Sequence, residues 1–405
     1  MLSLGTRARS AASRISPPVR RVLAHSLIFG LSISIADLLF NFYLVSLGYA
    51  ADAAGLLSTI YRAAGVVLGL LIGALIDRAG PRRSLMVGAL LFAISWTLVL
   101  VAPSFELLAL SYFLAGAANV LTITSSVPLL TGMTRDDERA SIFGLNASAA
   151  LIIGLLGSVA AGVLPSLAAG VLSVGPQDTP AYRAALAMVV ALALASVLPV
   201  LRLRAGVARA GGATEAVEEP ARHTRLGLVR LALPSLALGL GAGLFLPFQN
   251  LFFRQQFGLS DAAVGAMLAW AAGGMGLGAL LGGLVSARLG LWRAAWVLRL
   301  LCAPAMLMLA APALLPAAAG FFLRGLFVGA SFPLNDALVM QNTSARQRGT
   351  AVSLMSMLWS LGWAACSSIS GWLQVQYGFG PVIVAASLAY VLSALAIATQ
   401  RFERG

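Results

Sequence analysis

The sequence predicts an all-α polytopic membrane protein whose twelve transmembrane helices form two pseudo-symmetric halves of six. Three observations carry that prediction. The first is composition: of 405 residues, 60% are hydrophobic and 10% charged, with a mean hydropathy of +0.92, whereas a soluble chain carries about 25% charged residues. The second is segmentation into stretches of about 20 apolar residues, the length that crosses a bilayer. They fall at 22–46, 52–77, 84–102, 105–133, 139–164, 183–201, 229–253, 261–286, 293–313, 316–342, 348–374 and 380–399. The third is an internal repeat. Laying Asn41 on Asn250 also brings Asp52 onto Asp261, Gly65 onto Gly274, Gly69 onto Gly278, Gly73 onto Gly282 and Arg139 onto Arg348.

The elements follow in order. Residues 1–21 are basic and free of acid, a tail that Pro17 and Pro18 keep from forming a long amphipathic helix. Residues 22–201 form the first half. Residues 202–228, rich in Arg, Glu, Gly and Ala with Glu215, Glu218, Glu219 and Pro220 at the centre, read as a flexible linker. Residues 229–399 form the second half, and 400–405 a short tail. Asp52, Ser260 and Asp261 stand at span starts, where they are expected to cap free backbone N–H groups. Asp136, Asp137 and Glu138 are expected to do the same before span five.

All 27 basic residues are arginine, and the formal net charge is +13. The absence of lysine excludes a phosphate loop of the Walker type. Most arginines gather in the N-terminal tail, every second loop and the C-terminus, for example Arg20, Arg83, Arg139, Arg204, Arg293, Arg348 and Arg401. The opposite face offers only Arg183 and Arg254. This asymmetry predicts both termini in the cytoplasm and explains the charge without a nucleic-acid partner. The expected location is the cell membrane, multi-pass, with no cleavable secretory signal.

Cys302 and Cys366 lie inside spans, which points to neither a disulfide framework nor a metal site. His25 and His223 are placed at or beyond the cytoplasmic boundary, so a histidine proton relay is not expected. No Gly-x-Ser-x-Gly elbow or nucleotide loop is present. An enzyme is therefore not expected, nor is a cofactor.

The most specific stretch joins spans two and three. Gly65, Gly69 and Gly73 form a ridge on one helix face, suited to close helix approach. It runs into Asp77-Arg78-Ala79-Gly80-Pro81-Arg82-Arg83. Gly73, Leu75, Asp77, Arg78, Gly80, Arg82 and Arg83 resemble the loop signature of the major facilitator superfamily, with Pro81 inserted where a basic residue is common. With one extra residue in the loop, Arg78, Gly80 and Arg83 meet Arg288, Gly290 and Arg293 in the second half, where Ala287 replaces Asp77. The resemblance implies a conformational latch, with Asp77 near Arg348 at the start of helix eleven. It also implies a central cavity lined by helices one, four, seven and ten.

Those four helices carry polar stripes. Asp37 lies roughly 13 Å from the outer end of span one at 1.5 Å per residue, sharing its face with Ser26, Gly30, Asn41 and Gly48. Span four offers Tyr112, Asn119 and Ser126; span seven offers Gly239, Gly243, Asn250 and Arg254. In span ten, Ser331, Asn335 and Asn342 fall within about 20° of Arg324 at 100° per residue. A carboxylate at such depth needs a partner, a cavity or a proton. Asp37 is the expected coupling residue, with Arg62 or Arg324 as its alternative partners; Asp336, about 120° off the span-ten stripe, is a second candidate. Phe40, Phe42, Tyr43, Phe245, Phe248, Trp270, Trp359 and Trp363 are available as pocket walls, although such residues commonly serve packing.

The expected function is secondary transport of a small solute by alternating access, coupled to protons and performed by a monomer. One alternative is drug–proton efflux. Efflux members of the superfamily resemble one another in an acid on helix one, supplied here by Asp37. They also tend to carry an arginine on helix four, where this chain has Tyr112, and a Gly-Pro signature on helix five, where Gly154 to Gly162 runs without proline. The other alternative is a sensor or lipid-handling protein of transporter shape.

Overall fold

The computed structural model describes residues 16–203 and 224–400. Residues 1–15, most of the linker with His223, and 401–405 lie outside the described residues. So do the side chains of Asp136, Asp137 and Arg139.

Among the described residues no strand occurs, and twelve helices are long and apolar enough to cross a membrane. Span one is Pro17–Ser46, span two Ala51–Ala79, span three Pro81–Val101, span four Phe105–Thr131, span five Asp136–Leu172 and span six Thr179–Leu201. Span seven comprises Arg225–Phe245, a 3-10 turn at Leu246–Phe248 and Gln249–Phe257; span eight is Asp261–Leu289. Span nine is Leu291–Leu307 with a terminal 3-10 turn, span ten Leu314–Asn342, span eleven Ala345–Tyr377 and span twelve Phe379–Ala398.

Three differences from the sequence reading have local causes. Span one starts at Pro17 rather than at 22, because a proline in the first turn forfeits only an N–H that has no intrahelical acceptor. Span five continues past 164 through Pro165 to Leu172, where Ser173 turns the chain at φ 56°. Span seven breaks at Pro247, which the apolar pattern alone did not reveal.

The loop signature and its degraded copy share one backbone geometry. Gly80 has φ 80° and ψ 150°, and Gly290 has φ 78° and ψ 152°. A side chain would be strained at either position, which accounts for glycine in both.

Packing repeats with the sequence. In the first half span one packs on five and six, span two on four, and span three on four and six; in the second, seven packs on eleven and twelve, eight on ten, and nine on ten and twelve. The halves meet along two equivalent seams, spans two with eleven and spans five with eight. Glycines make the second-half approach close. A Cβ on Gly274, Gly278 or Gly282 would strike the backbone of Phe322, Leu326 or Ala330 in span ten.

The expected ridge on span two is only partly used. A Cβ on Gly65 would meet the Val120 side chain at 2.9 Å, while around Gly69 and Gly73 nothing stands within 4 Å. These two lie toward the arginine-rich end of span two, which runs on to Arg78.

Candidate functional site

Every hydrogen bond joining described residues of opposite halves lies toward the arginine-poor end. Ser58 and Thr59 of span two meet Ser367, Ser368 and the Ala364 carbonyl of span eleven, and Trp363 Nε1 donates to Ser58 Oγ at 3.2 Å. Across the other seam the Tyr182 hydroxyl donates to Asp261 Oδ2 at 2.8 Å. Glycines admit the backbones here as well. A Cβ on Gly371 would strike Ala51 and Asp52, and one on its repeat partner Gly162 would strike Asp261 and Ala262.

At the centre of this closure sit Asn41 and Asn250. Asn41 Nδ2 donates to the Pro247 carbonyl and to Asn250 Oδ1, the latter at 2.9 Å. Asn250 Nδ2 donates to the Leu38 carbonyl at 2.6 Å. The repeat offset carries Asn41 onto Asn250 and Leu38 onto Pro247, so each asparagine reaches the equivalent carbonyl of the other half. Two equivalent residues can bond one another only where the pseudo-two-fold axis passes. Asn41 and Asn250 are thus brought together as a clasp between spans one and seven, not as two walls of an open cavity. The Gly243 and Leu244 carbonyls, beside the break in span seven, accept from Ser367 and Ser370.

Asp261 was expected as a cap; Ser260 performs that role, accepting from Ala263 N. Asp261 instead forms an ion pair with Arg254 at 3.2 Å, and Arg254 lies 4.3 Å from the Phe42 ring centre. Its repeat partner Asp52 is exposed and accepts only from its neighbour Ala53 N.

Asp37 lies below the clasp, exposed in the middle of an otherwise buried stretch of span one. An exposed carboxylate flanked by buried Ala36 and Leu38 means an opening inside the bundle. The groups within its electrostatic reach are Arg62, Tyr61 and Tyr112. Phe40 stacks on Tyr112 at 4.2 Å between ring centres, and Tyr61 stands 4.9 Å from the same ring. Asn119 lies beside Tyr61, and its Oδ1 accepts no hydrogen bond from a described residue.

Arg62, not Arg324, is the cation near Asp37. Its guanidinium carbon lies 4.2 Å and 5.0 Å from the ring centres of Trp363 and Trp359, both in the opposite half. No ion pair within 4.0 Å joins it to Asp37 among the described residues. Arg62 therefore stands between a carboxylate of its own half and two indole faces of the other, a position where cation–π attraction is strengthened by partial desolvation.

The span-ten stripe does not face this opening. Arg324, Ser331 and Asn335 are 6%, 0% and 6% exposed, and the stripe points into the second half. Arg324 Nε donates to Tyr390 Oη at 2.8 Å. Arg299, which the sequence reading passed over, donates from Nε to Ser331 and from Nη1 to Ser393. Helical phase had indicated a common face and could not say which neighbour that face met. Asp336 is exposed on the adjacent face, without an ion pair.

The span-seven stripe is likewise packed. Gly239 and Gly243 lie against the Trp359 and Trp363 backbones of span eleven. His25 is buried against span six, its Nδ1 at 2.8 Å from the Ser196 carbonyl. Asp77 and Arg348 are both exposed, and no ion pair joins them among the described residues, so the expected latch contact is not made in this conformation. Arg82 instead donates to the Val200 and Leu201 carbonyls that end span six, a favourable place for a cation. Cys302 and Cys366 are free thiols.

Comparison with known proteins agrees with this architecture. The model of the Major Facilitator Superfamily matches residues 22–365 and 231–403. An uncharacterized MFS-type transporter, YceJ of Bacillus subtilis (strain 168), is 27% identical over 354 residues, covering 85% of this chain and 86% of its own. Among solved structures, a bacterial homolog of the human lysosomal transporter Spinster, inward-facing and occupied, superimposes with a TM-score of 0.71 at 17% identity over 95% of both chains. A D-xylose–proton symporter gives 0.73 at 16% identity, over 95% of this chain and 97% of its own. At such identities these likenesses establish the fold alone.

Proposed function

This chain belongs to the Major Facilitator Superfamily, and from that premise we propose that it moves a small solute across the cell membrane by alternating access, coupled to protons at Asp37. The observation that carries the reading is the exposed carboxylate at mid-depth, with an arginine beside it that is committed to the far half of the molecule. An acid in such a place is costly unless it serves a path for ions or solute. The arginine-rich face is taken as cytoplasmic, which puts both termini there. The conformation then has its outer side closed and its inner side parted.

In this reading the solute enters the opening bounded by Asp37, Tyr61, Tyr112 and Asn119. The tyrosine rings form an apolar wall, behind which lies Asn119 with a buried, unused acceptor. Rocking the halves toward the opposite state separates spans two and eleven at the outer seam, and this withdraws Arg62 from Trp359 and Trp363. Freed from the indoles, Arg62 acts more strongly on Asp37. An adjacent cation favours the ionised acid, so the proton affinity of Asp37 follows the conformation.

The test is proton movement by protein in liposomes as a library of small solutes is added, comparing wild type with Asp37→Asn. A solute-dependent signal that the substitution abolishes supports the reading and identifies a solute. A signal that survives it removes Asp37 from coupling and moves attention to Asp336.

A further inference from the structure

The core of the second half holds two cations and no carboxylate within ion-pair distance of either among the described residues. Arg299 of span nine is 1% exposed and Arg324 of span ten 6%. Their known partners are hydroxyls: Ser331 and Ser393 for Arg299, Tyr390 for Arg324. Ser331 in turn donates to the Val328 carbonyl and Ser393 to the Pro234 carbonyl, which leaves their lone pairs for Arg299. Aromatic faces complete the surroundings, with Phe332 5.7 Å from Arg299 and Tyr390 5.5 Å from Arg324.

Three terminal nitrogens remain. Arg299 Nη2 and both Nη atoms of Arg324 make no hydrogen bond to a described residue. Arg324 bonds Tyr390 and Arg299 bonds Ser393, three residues apart on one face of span twelve, so the two charges flank one region between spans nine, ten and twelve. Asp336 acts on Arg299 from the exposed side of span ten, beyond ion-pair distance. The first half balances Asp37 against Arg62; the second, counting Asp336, keeps one positive charge in excess at mid-depth. Burying an uncompensated charge is costly even after relaxation, and unused guanidinium donors favour a charged acceptor over a neutral one.

We propose that Arg299 and Arg324 together hold a singly charged anionic group, a free halide or a carboxylate, with the Tyr390 hydroxyl at its edge. A monovalent anion matches the excess charge. The site is distinct from the opening at Asp37 and does not depend on what is transported there; a carboxylate bound at it would extend the transport reading to an anionic solute.

The probe is chloride, followed by its NMR linewidth over purified full-length protein in detergent. Wild type is expected to broaden the line in excess of Arg324→Gln, with binding weakened on the order of tenfold or more when the fork is lost. If Arg324→Gln is not monodisperse, Tyr390→Phe takes its place, since it keeps both charges and removes only the hydroxyl that orients Arg324. Narrowing by added acetate would assign a site that accepts carboxylates, and narrowing by bromide alone a halide site; either supports the proposal. Equal linewidths for wild type and variant, unchanged by acetate, would overturn it. Because the readout is binding and not flux, it can succeed where the proton assay fails, and the reverse.

Discussion

The two seams between the halves are related by the repeat, yet they are built from different chemistry. The backbone contacts correspond: Gly371 against Asp52 in one, Gly162 against Asp261 in the other. The side chains do not. The seam of spans two and eleven is a row of hydroxyls ending in Arg62 over two tryptophans. At the seam of spans five and eight, Tyr182 of span six donates across the halves to Asp261, and Arg254, paired with Asp261 inside the second half, lies over the Phe42 and Tyr182 rings of the first. Glycine positions, which set how closely helices approach, survived duplication, while the groups that bear charge diverged. One seam thereby became the arm that reaches Asp37, and the other a clamp far from it.

The sharpest break in this comparison comes from substituting the equivalent aspartates. Asp261→Asn leaves Arg254 without its carboxylate against Phe42 and Tyr182. Stranding one member of a buried pair costs about 3–5 kcal/mol, and at this partly open site the lower end is expected. Asp52→Asn removes an exposed carboxylate and should stay within about 0.5 kcal/mol of wild type. Thermal unfolding of the two purified variants decides the matter; equal losses would mean that the seams are fastened alike.

A similar contrast lies within the halves. Gly278 abuts the Leu326 carbonyl, whereas its repeat partner Gly69 faces open space. Gly278→Val is expected to destabilise by about 1–3 kcal/mol, the usual cost of overpacking, and Gly69→Val to leave this conformation unaffected. If the arginine-rich ends meet over Gly69 in the opposite state, Gly69→Val should still impair transport. A folded, fully active Gly69→Val would show that this face never closes.

Much of this was legible before any coordinates. Apolar length gave the spans, the repeat gave the halves, and the offset of Asn41 and Asn250 marked equivalent positions. Asp37 was visible because a carboxylate has no apolar disguise. What the sequence could not supply was the neighbour that each polar face meets. Helical phase grouped Arg324 with Ser331 and Asn335, but the same stripe suits a water-filled cavity or a polar core. Arg299 was missed because, on span nine, no other polar residue in phase drew attention to it. The break at Pro247 was equally silent, since proline is tolerated in membrane helices wherever neighbours supply donors.

The clasp offers a smaller test, one of non-additivity. Interhelical hydrogen bonds in membranes average about 0.6 kcal/mol and reach about 1.7. Asn41→Ala and Asn250→Ala should each weaken closure at the arginine-poor end by about that amount. Because the two side chains also bond one another, the double variant should lose less than the sum. The readout is labelling of a cysteine placed beneath the clasp by an outer-side reagent in a cysteine-free background. Strict additivity would mean that the two asparagines act on separate carbonyls without the bond on the axis.

The smallest effect on stability is expected at Asp77. It makes no bond in this conformation, so Asp77→Asn removes nothing from it. If Asp77 meets the Arg348 end of span eleven when the inner side closes, that state alone loses an exposed ion pair, worth about 0–1 kcal/mol. A substitution shifts an equilibrium only by its difference between states. The variant should therefore melt like wild type while favouring the conformation described here, seen as reduced labelling at the outer clasp and slower exchange between faces. An Asp77→Asn protein that instead opens outward more readily would place the partner of Asp77 in this state, contrary to its exposed, unbonded carboxylate.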